Sequence, residues 1–429
     1  MKKQHQNQQH VASYYAATAN RPETYPQLQG AQQADICIVG AGFTGIASAL
    51  SLAERGYKVA VVEANRVSWG ASGRNGGQMI RGISGESRIL KKFGSEYADL
   101  LWQMRWRGHE IIHQRVEKYG IECDLKSGYL DVASKQHQMA DLEEEVALME
   151  KYRFPYEYRL LDAAETADTI GTKAYVGALL NYRDGHLHPL NLCAGEAHAA
   201  ANLGVQIFEQ SPVTNIVHGA SPRVETADGY VACKTVVMAG HIWHQLEQHR
   251  LSGTTFQAGS FVIATEPLSA EIRQQINPKD VAICEVNNII DYYRLSADGR
   301  MLYGGRCNYS GRIPPSIKAA MLPRMLKIYP QLKNVRIDYE WGCSIGIVIR
   351  RIPMVGRIDD NIYYVQGYSG HGVNATHILG EVIAEAIGGT MEKFDLFAKM
   401  PQIRVPFGNY AGNQMVALGM LYYRLKDLL

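Results

Sequence analysis

Asp35-Ile-Cys-Ile-Val-Gly-Ala-Gly-Phe-Thr-Gly45 is followed by a second apolar run, Val59-Ala-Val-Val62, which closes on Glu63. The order is strand, G-x-G-x-x-G turn, helix, strand and terminal acid. Gly40 permits the tight turn, Gly42 lets the backbone approach a diphosphate, and Gly45 lets helix and strand pack closely. Ile46, Ala49, Leu50 and Ala53 recur at helical spacing and form the face that packs on the sheet. A diphosphate sits on the helix N-terminus, where N–H groups and the macrodipole favour an anion. Glu63 can accept from both hydroxyls of an adenosine ribose, and its charge would repel a 2′-phosphate. A bare glycine fingerprint is weak, but here both flanks are right. The stretch predicts a βαβ unit that binds an ADP-containing dinucleotide.

The rest of the chain is compatible with a soluble α/β protein. It has 429 residues, 46% of them hydrophobic and 20% charged, with a formal net charge of +2. That length suggests about two or three domains, and the near-neutral balance points to neither nucleic acid nor an anionic membrane surface. Seven cysteines without C-x-x-C pairs fit a reducing, cytoplasmic compartment. The polar start has neither the apolar core of a secretory signal nor a membrane span.

Residues 1–30 are polar and Gln-rich and read as an arm that lies over the surface or is partly disordered. Apolar positions from Ser87 to Tyr119 predict one long helix stopped by Gly120. Tyr129 to Ala133 is a short strand. Tyr175 to Leu180, the helix opened by Pro189, and Val205 to Phe208 suggest a second mononucleotide-like strand–helix–strand. An antiparallel pair turning at Asp228-Gly229 leads into the apolar run Val236 to Gly240. Phe261–Thr265, Asp291–Leu295, Met301–Gly305 and Val335–Trp341 read as a mostly antiparallel sheet, and the last alternates with period two. Ile362–Val365 and the helix from Gly372 return to the buried α/β pattern. The expected architecture is α/β: a discontinuous Rossmann-like dinucleotide domain (31–90, 171–250, 341–395) with an inserted, mostly antiparallel α+β substrate domain (91–170, 251–340). A C-terminal extension covers 396–429.

Two further glycine segments bear on chemistry. Gly70-Ala-Ser-Gly-Arg-Asn-Gly-Gly-Gln78 has four glycines in nine residues, which suits backbone N–H groups lining a flat or anionic ligand. Gly367-Tyr-Ser-Gly-His-Gly372 lies between a strand and a helix, so its donors can stabilise charge developing on a reduced ring. Together with the fingerprint, these segments resemble the D-amino-acid oxidase superfamily of FAD-dependent amine oxidoreductases. Tyr14-Tyr15, Gly185–Asn191 and Asp291–Leu295 make the chain most similar to the gamma-glutamylputrescine oxidase branch of it. The resemblance covers nearly the whole sequence.

It implies FAD held by Gly40, Gly42, Phe43, Thr44, Gly45, Glu63 and Ala64. Ala71, Ser72, Arg74, Asn75, Gly76, Gly77 and Gln78 would lie along the isoalloxazine, Val213 at the adenine, and Ala239 and Gly240 over the adenosine side. Gly370, His371, Gly372 and Val373 would face the pyrimidine edge. The implied reaction oxidises a small amine, with gamma-glutamylputrescine the expected substrate in putrescine breakdown. Aldehyde, ammonia and, with dioxygen as acceptor, hydrogen peroxide would be the products. Sarcosine oxidases place a lysine near the flavin, and Arg300–Gly305 contains none. An amino-acid or secondary-amine dehydrogenase feeding a quinone or carrier protein therefore stays open, and Met415–Leu429 could dock such a carrier.

Substrate-lining candidates are Tyr292, Tyr293 and Tyr368, with core packing the competing reading for each. Glu285 can attract a polyamine cation or sit on a solvated strand face. Arg294 or Arg306 can meet a glutamyl carboxylate or form surface ion pairs. His186-Leu-His188 alternates like two metal ligands but lacks a Cys or acid cluster, so no metal is expected and a loop or cap role is favoured. Cys343 reads as a buried thiol, with covalent FAD attachment as the alternative.

Overall fold

Three sheets organise the described residues. The computed structural model describes residues 8–287, 290–308 (backbone alone over 306–308), 313–406 and Gln414. The Met415–Leu429 segment and the Arg306 side chain lie outside the described residues. Six strands form the first sheet, in the order Met354–Ile358, Ile362–Gln366, Thr235–Met238, Ile36–Val39, Val59–Val62 and Gln206–Phe208. All neighbours are parallel except the Met354–Ile358 edge.

The apolar runs of that sheet are buried on both faces, as parallel strands must be. Ile36, Ile38, Val59 and Val61 pack under the helices Phe43–Ala53, Pro189–Asn202 and Val373–Ile387. The alternate residues Cys37, Val39, Ala60 and Val62 pack against Ile216, Val224 and Val231. Those three belong to a four-stranded sheet, ordered Gly30–Gln33, Gly229–Ala232, Arg223–Glu225 and Asn215–Val217. The period of two thus divides one sheet between two partners.

The third sheet has nine strands. Eight run in the order Ile337–Ile347, Phe256–Thr265, Met301–Asn308, Asp291–Leu295, Ala282–Glu285, Lys126–Ala133, Gly177–His186 and Gln78–Met79, and Tyr158–Asp162 also pairs with Gly177–His186. Here the structure corrects one expectation. Tyr175–Leu180 does not begin a second nucleotide-type unit; Ala178, Leu179 and Leu180 lie in Gly177–His186, antiparallel to Lys126–Ala133. A doubly buried strand looks the same from either sheet, so its apolar run could not name its partner. The following helix and Gln206–Phe208 do return to the parallel sheet.

The helix expected over Ser87–Tyr119 is also two. Gly94, at φ +99°, ends Glu86–Phe93, and Ala98–Tyr119 restarts after a short 3-10 turn. The arm is less loose than its composition suggested. Ser13 caps a turn at Tyr14–Ala17, and both Tyr14 and Tyr15 are buried, Tyr15 packing edge-on to Trp341 at 5.3 Å. Among the described residues, no helix is long and apolar enough to cross a membrane.

A buried charge cluster locks the helical face. Glu196 accepts from Arg115 at 2.9 Å and faces His377 Nε2 at 3.1 Å. Arg115 also donates to the Ala47 carbonyl (3.1 Å) and Ser51 Oγ (2.8 Å), so four helices meet there. Burial alone would raise the Glu196 carboxyl, but the His377 and Arg115 charges outweigh it and hold it down to about 2. Glu196→Ala strands Arg115 and is expected to cost about 3–5 kcal/mol in urea unfolding. Because the folded pKa is depressed, this stabilisation is full above about pH 4.3 and fades as pH falls toward the folded value. The gap between wild type and variant should therefore narrow on acidification; a gap that widens would contradict the pairing.

Candidate active site

The turn after Ile36–Val39 is built by exclusion of side chains. Gly40 has φ +105°, and a Cβ there would meet the Ala239 carbonyl oxygen at 2.9 Å. A Cβ on Gly45 would lie 1.9 Å from the Gly40 oxygen, so this glycine serves helix–turn packing. Gly42 caps the Phe43–Ala53 helix, and Phe43 N–H donates to Ser72 Oγ at 2.9 Å. The second glycine segment is thereby docked onto the first. Glu63 accepts from Ala41 N–H and Asn65 N–H, each at 2.8 Å. Burial pushes its pKa up in spite of those bonds. A carboxylate has about four acceptor sites, so capacity remains for a diol.

These elements open on a cavity of about 890 Å³. Val39, Val62, Ala239 and Gln366, at the carboxyl ends of four parallel strands, all line it, where open α/β sheets place their ligands. Every residue that the resemblance assigns to the cofactor lines this cavity except Gly45, Arg74 and Gly77. Gly77 is wedged behind the loop, its hypothetical Cβ 2.3 Å from the Leu187 oxygen. Arg74 is also behind it, stacked on Trp69 at 4.2 Å, and burial pushes its pKa down. Two helices, Phe43–Ala53 and Val373–Ile387, begin at the lining residues Gly42 and Gly372. No Lys or Arg lines the cavity among the described residues. Two helix N-termini facing a cavity without fixed cations, and Glu63 at one end, fit the diphosphate and ribose of FAD.

The substrate candidates divide. Tyr368 lines the cavity, its hydroxyl 2.7 Å from Thr44 Oγ1, and burial raises its pKa, so the phenol stays protonated. Tyr292 lines it as well, with its hydroxyl 3.2 Å from Ser260 Oγ. Its ring fits between Gly76 and Gly304, where a Cβ would come within 2.3 and 2.2 Å of it. Tyr293 points to the opposite side of the strand. It stacks on Tyr303 with centroids 5.5 Å apart and donates to Tyr175 Oη at 3.0 Å, in the core.

Glu285 also stands off the cavity. It accepts from Tyr175 Oη (3.2 Å), Asn287 Nδ2 (2.9 Å) and Asp291 N–H (3.2 Å), and burial followed by the Asp291 charge pushes its pKa up. Arg294 does not line the cavity either: it donates to the carbonyls of Gly76 (2.9 Å) and Leu187 (2.8 Å) and to Tyr15 Oη (3.2 Å). His188 caps the Pro189–Asn202 helix by accepting from Asn191 N–H at 3.1 Å, and His186 donates to the Asp280 carbonyl at 3.0 Å. Cys343 lines the cavity as a buried cysteine.

Sequence reading missed the segment after Gly240. His241, Trp243 and His244 all line the cavity, and His241 Nε2 accepts from Gly346 N–H at 2.7 Å. Burial, then the neighbouring His244, brings His241 down to about 4, so it is neutral. Their position directly after a buried parallel strand was the available signal. On the opposite wall, His371 Nε2 donates to the Arg81 carbonyl at 2.7 Å, and burial lowers its pKa.

Comparison with known proteins agrees with this geometry. The family described as FAD dependent oxidoreductase matches residues 35–386. Gamma-glutamylputrescine oxidoreductase of Escherichia coli is 42% identical over 98% of this chain and 99% of that protein. A probable oxidoreductase, OrdL, of Haemophilus influenzae is 39% identical over 98% of each. Glycine oxidase from Geobacillus kaustophilus shares the fold with a TM-score of 0.71 at 19% identity, over 87% of this chain and all of that one. The chain belongs to the FAD dependent oxidoreductase family. It is an FAD-dependent amine oxidoreductase, similar along its whole length to the gamma-glutamylputrescine enzyme.

The contact between Gly76 and Tyr292 gives a direct test. Gly76→Ala should displace the Tyr292 ring while leaving the glycine turn intact. The expected result is full flavin content with kcat/KM lowered by roughly tenfold or more. Unchanged kinetics would show that Tyr292 is not held in a working position.

Proposed function

We propose that the protein oxidises the primary amine of gamma-glutamylputrescine to the aldehyde, releasing ammonia and hydrogen peroxide, as a step of putrescine catabolism. The observation that carries this reading is the 42% identity, over essentially both full lengths, to a gamma-glutamylputrescine oxidoreductase. The cavity wall is compatible with it. Around Tyr292 the lining includes Gln257, Ser260, Cys343 and Ile345, none of them a fixed cation. Such a wall does not repel an incoming ammonium, and its low polarity favours loss of the proton to give the neutral amine.

FAD, when bound, supplies the two-electron acceptor. The chain's own contribution is orientation and exclusion of water. Ser260 holds the Tyr292 hydroxyl, and Thr44 holds that of Tyr368, so two phenols border the space where substrate would lie. Loss of a hydride from the carbon bearing the amine and of a proton from its nitrogen gives an imine, and water converts it to aldehyde and ammonia. With dioxygen as final acceptor, one peroxide forms per amine. A second reading, electron delivery to a quinone or carrier, is favoured by one observation: no lysine borders the cavity among the described residues.

The test compares gamma-glutamylputrescine with putrescine, sarcosine and D-alanine in air, measuring peroxide and ammonia together. Equal yields of both, and at least a tenfold preference for the glutamylated amine, are expected. Activity confined to sarcosine or D-alanine would overturn the substrate. Turnover only with an artificial acceptor would select the dehydrogenase reading.

A further inference from the structure

A second cavity, of about 430 Å³, shares no lining residue with the first. Four aromatic side chains, Trp102, Trp106, Phe154 and Tyr156, are among its lining residues. Trp102 and Trp106, one turn apart on the Ala98–Tyr119 helix, have centroids 5.9 Å apart, and Phe154 closes on Trp106 at 4.5 Å. Phe154 in turn contacts Tyr156 at 5.5 Å. A volume of this size suits a small molecule, and such walls suit a flat ring.

Its charges are unbalanced at one place. Arg107 is neutralised by Glu110 at 2.8 Å and Glu381 at 2.7 Å, and Lys393 by Glu385 at 3.0 Å. Arg183 has no ion pair among the described residues; its guanidinium lies 4.7 Å over the Tyr156 ring, and its Nε is buried without a hydrogen-bond partner. Trp106, itself 7% exposed, has an indole N–H in the same condition. Two buried donors without acceptors are costly, and both belong to residues lining this cavity. The uncompensated charge is felt nearby: burial first, then Arg183, brings His113 down to about 4.

We propose that this cavity is an accessory binding site for an aromatic monocarboxylate, separate from the flavin cavity. The ring packs among Trp102, Trp106 and Phe154, and the carboxylate accepts from Arg183 and from the Trp106 indole. An anion answers the lone cation and both orphaned donors at once, whereas a neutral ring answers neither.

The experiment is a titration of the flavin-loaded enzyme with phenylacetate, following intrinsic tryptophan fluorescence and the visible flavin bands together. Saturable quenching is expected with millimolar or tighter affinity, while the flavin bands stay unchanged. Phenylacetamide, the neutral isostere, should give no saturable response. Arg183→Gln and, separately, Trp106→Phe, both checked for normal flavin content, should weaken binding by roughly tenfold or more. Four results would overturn the proposal: no saturation, equal affinity for the amide, unchanged affinity in both variants, or quenching that always accompanies a flavin band shift. The last would place the ligand in the flavin cavity instead.

Discussion

The Arg294 guanidinium joins the parts of the chain that build the cavity. It is buried, and it donates to the carbonyls of Gly76, Leu187 and Leu295 and to the Tyr15 hydroxyl. Those four oxygens come from the Gly70–Gln78 loop, the segment before the Pro189 helix, the large sheet and the N-terminal arm. Burying a cation is expensive unless its donors are all met, and here dipoles meet them in place of a carboxylate. Surrounding groups respond accordingly. Burial and then the Arg294 charge bring both His186 and His188 to about 3, so neither adds a second positive charge. Substitution of Gly77 by any larger residue would strike this guanidinium, at 2.5 Å from a Cβ.

From that joint follows the character of the site. The parallel sheet contributes helix N-termini and strand ends, which hold charge by oriented N–H groups. The large sheet contributes Tyr292, Ser260, Gln257 and Cys343, a wall of uncharged groups. Glu63, a carboxyl whose pKa burial raises, stands on the parallel-sheet side. On the proposed reading the two halves serve different tasks: one binds a dianion, the other accepts an amine in its neutral form.

Much of this was legible in the sequence because it depends on local constraints. The βαβ unit declares itself through glycines whose absent side chains are each required, and the helix after Gly372 through a continuous apolar face. What was not legible depends on partners. Tyr292 and Tyr293 are chemically equal neighbours, and only the strand's facing sends one to the cavity and the other to the core. Tyr175–Leu180 has a buried-strand pattern that two different sheets could use. Glu285 and Arg294 looked like substrate contacts because a charged residue in an apolar stretch suggests function; both are engaged by groups distant in sequence. The wall at His241 to His244 carries no periodic signal, since a loop held by backbone contacts has none.

The central claim is that the Arg294 joint sets the shape of the flavin cavity. The most direct measurement is the affinity of the apoprotein for FAD, in wild type and in Arg294→Met, with far-UV circular dichroism confirming that both are folded. FAD binding in the variant is expected to weaken by at least roughly tenfold, because the Gly76 carbonyl and the arm lose their common donor. Equal affinity in two folded proteins would contradict the claim.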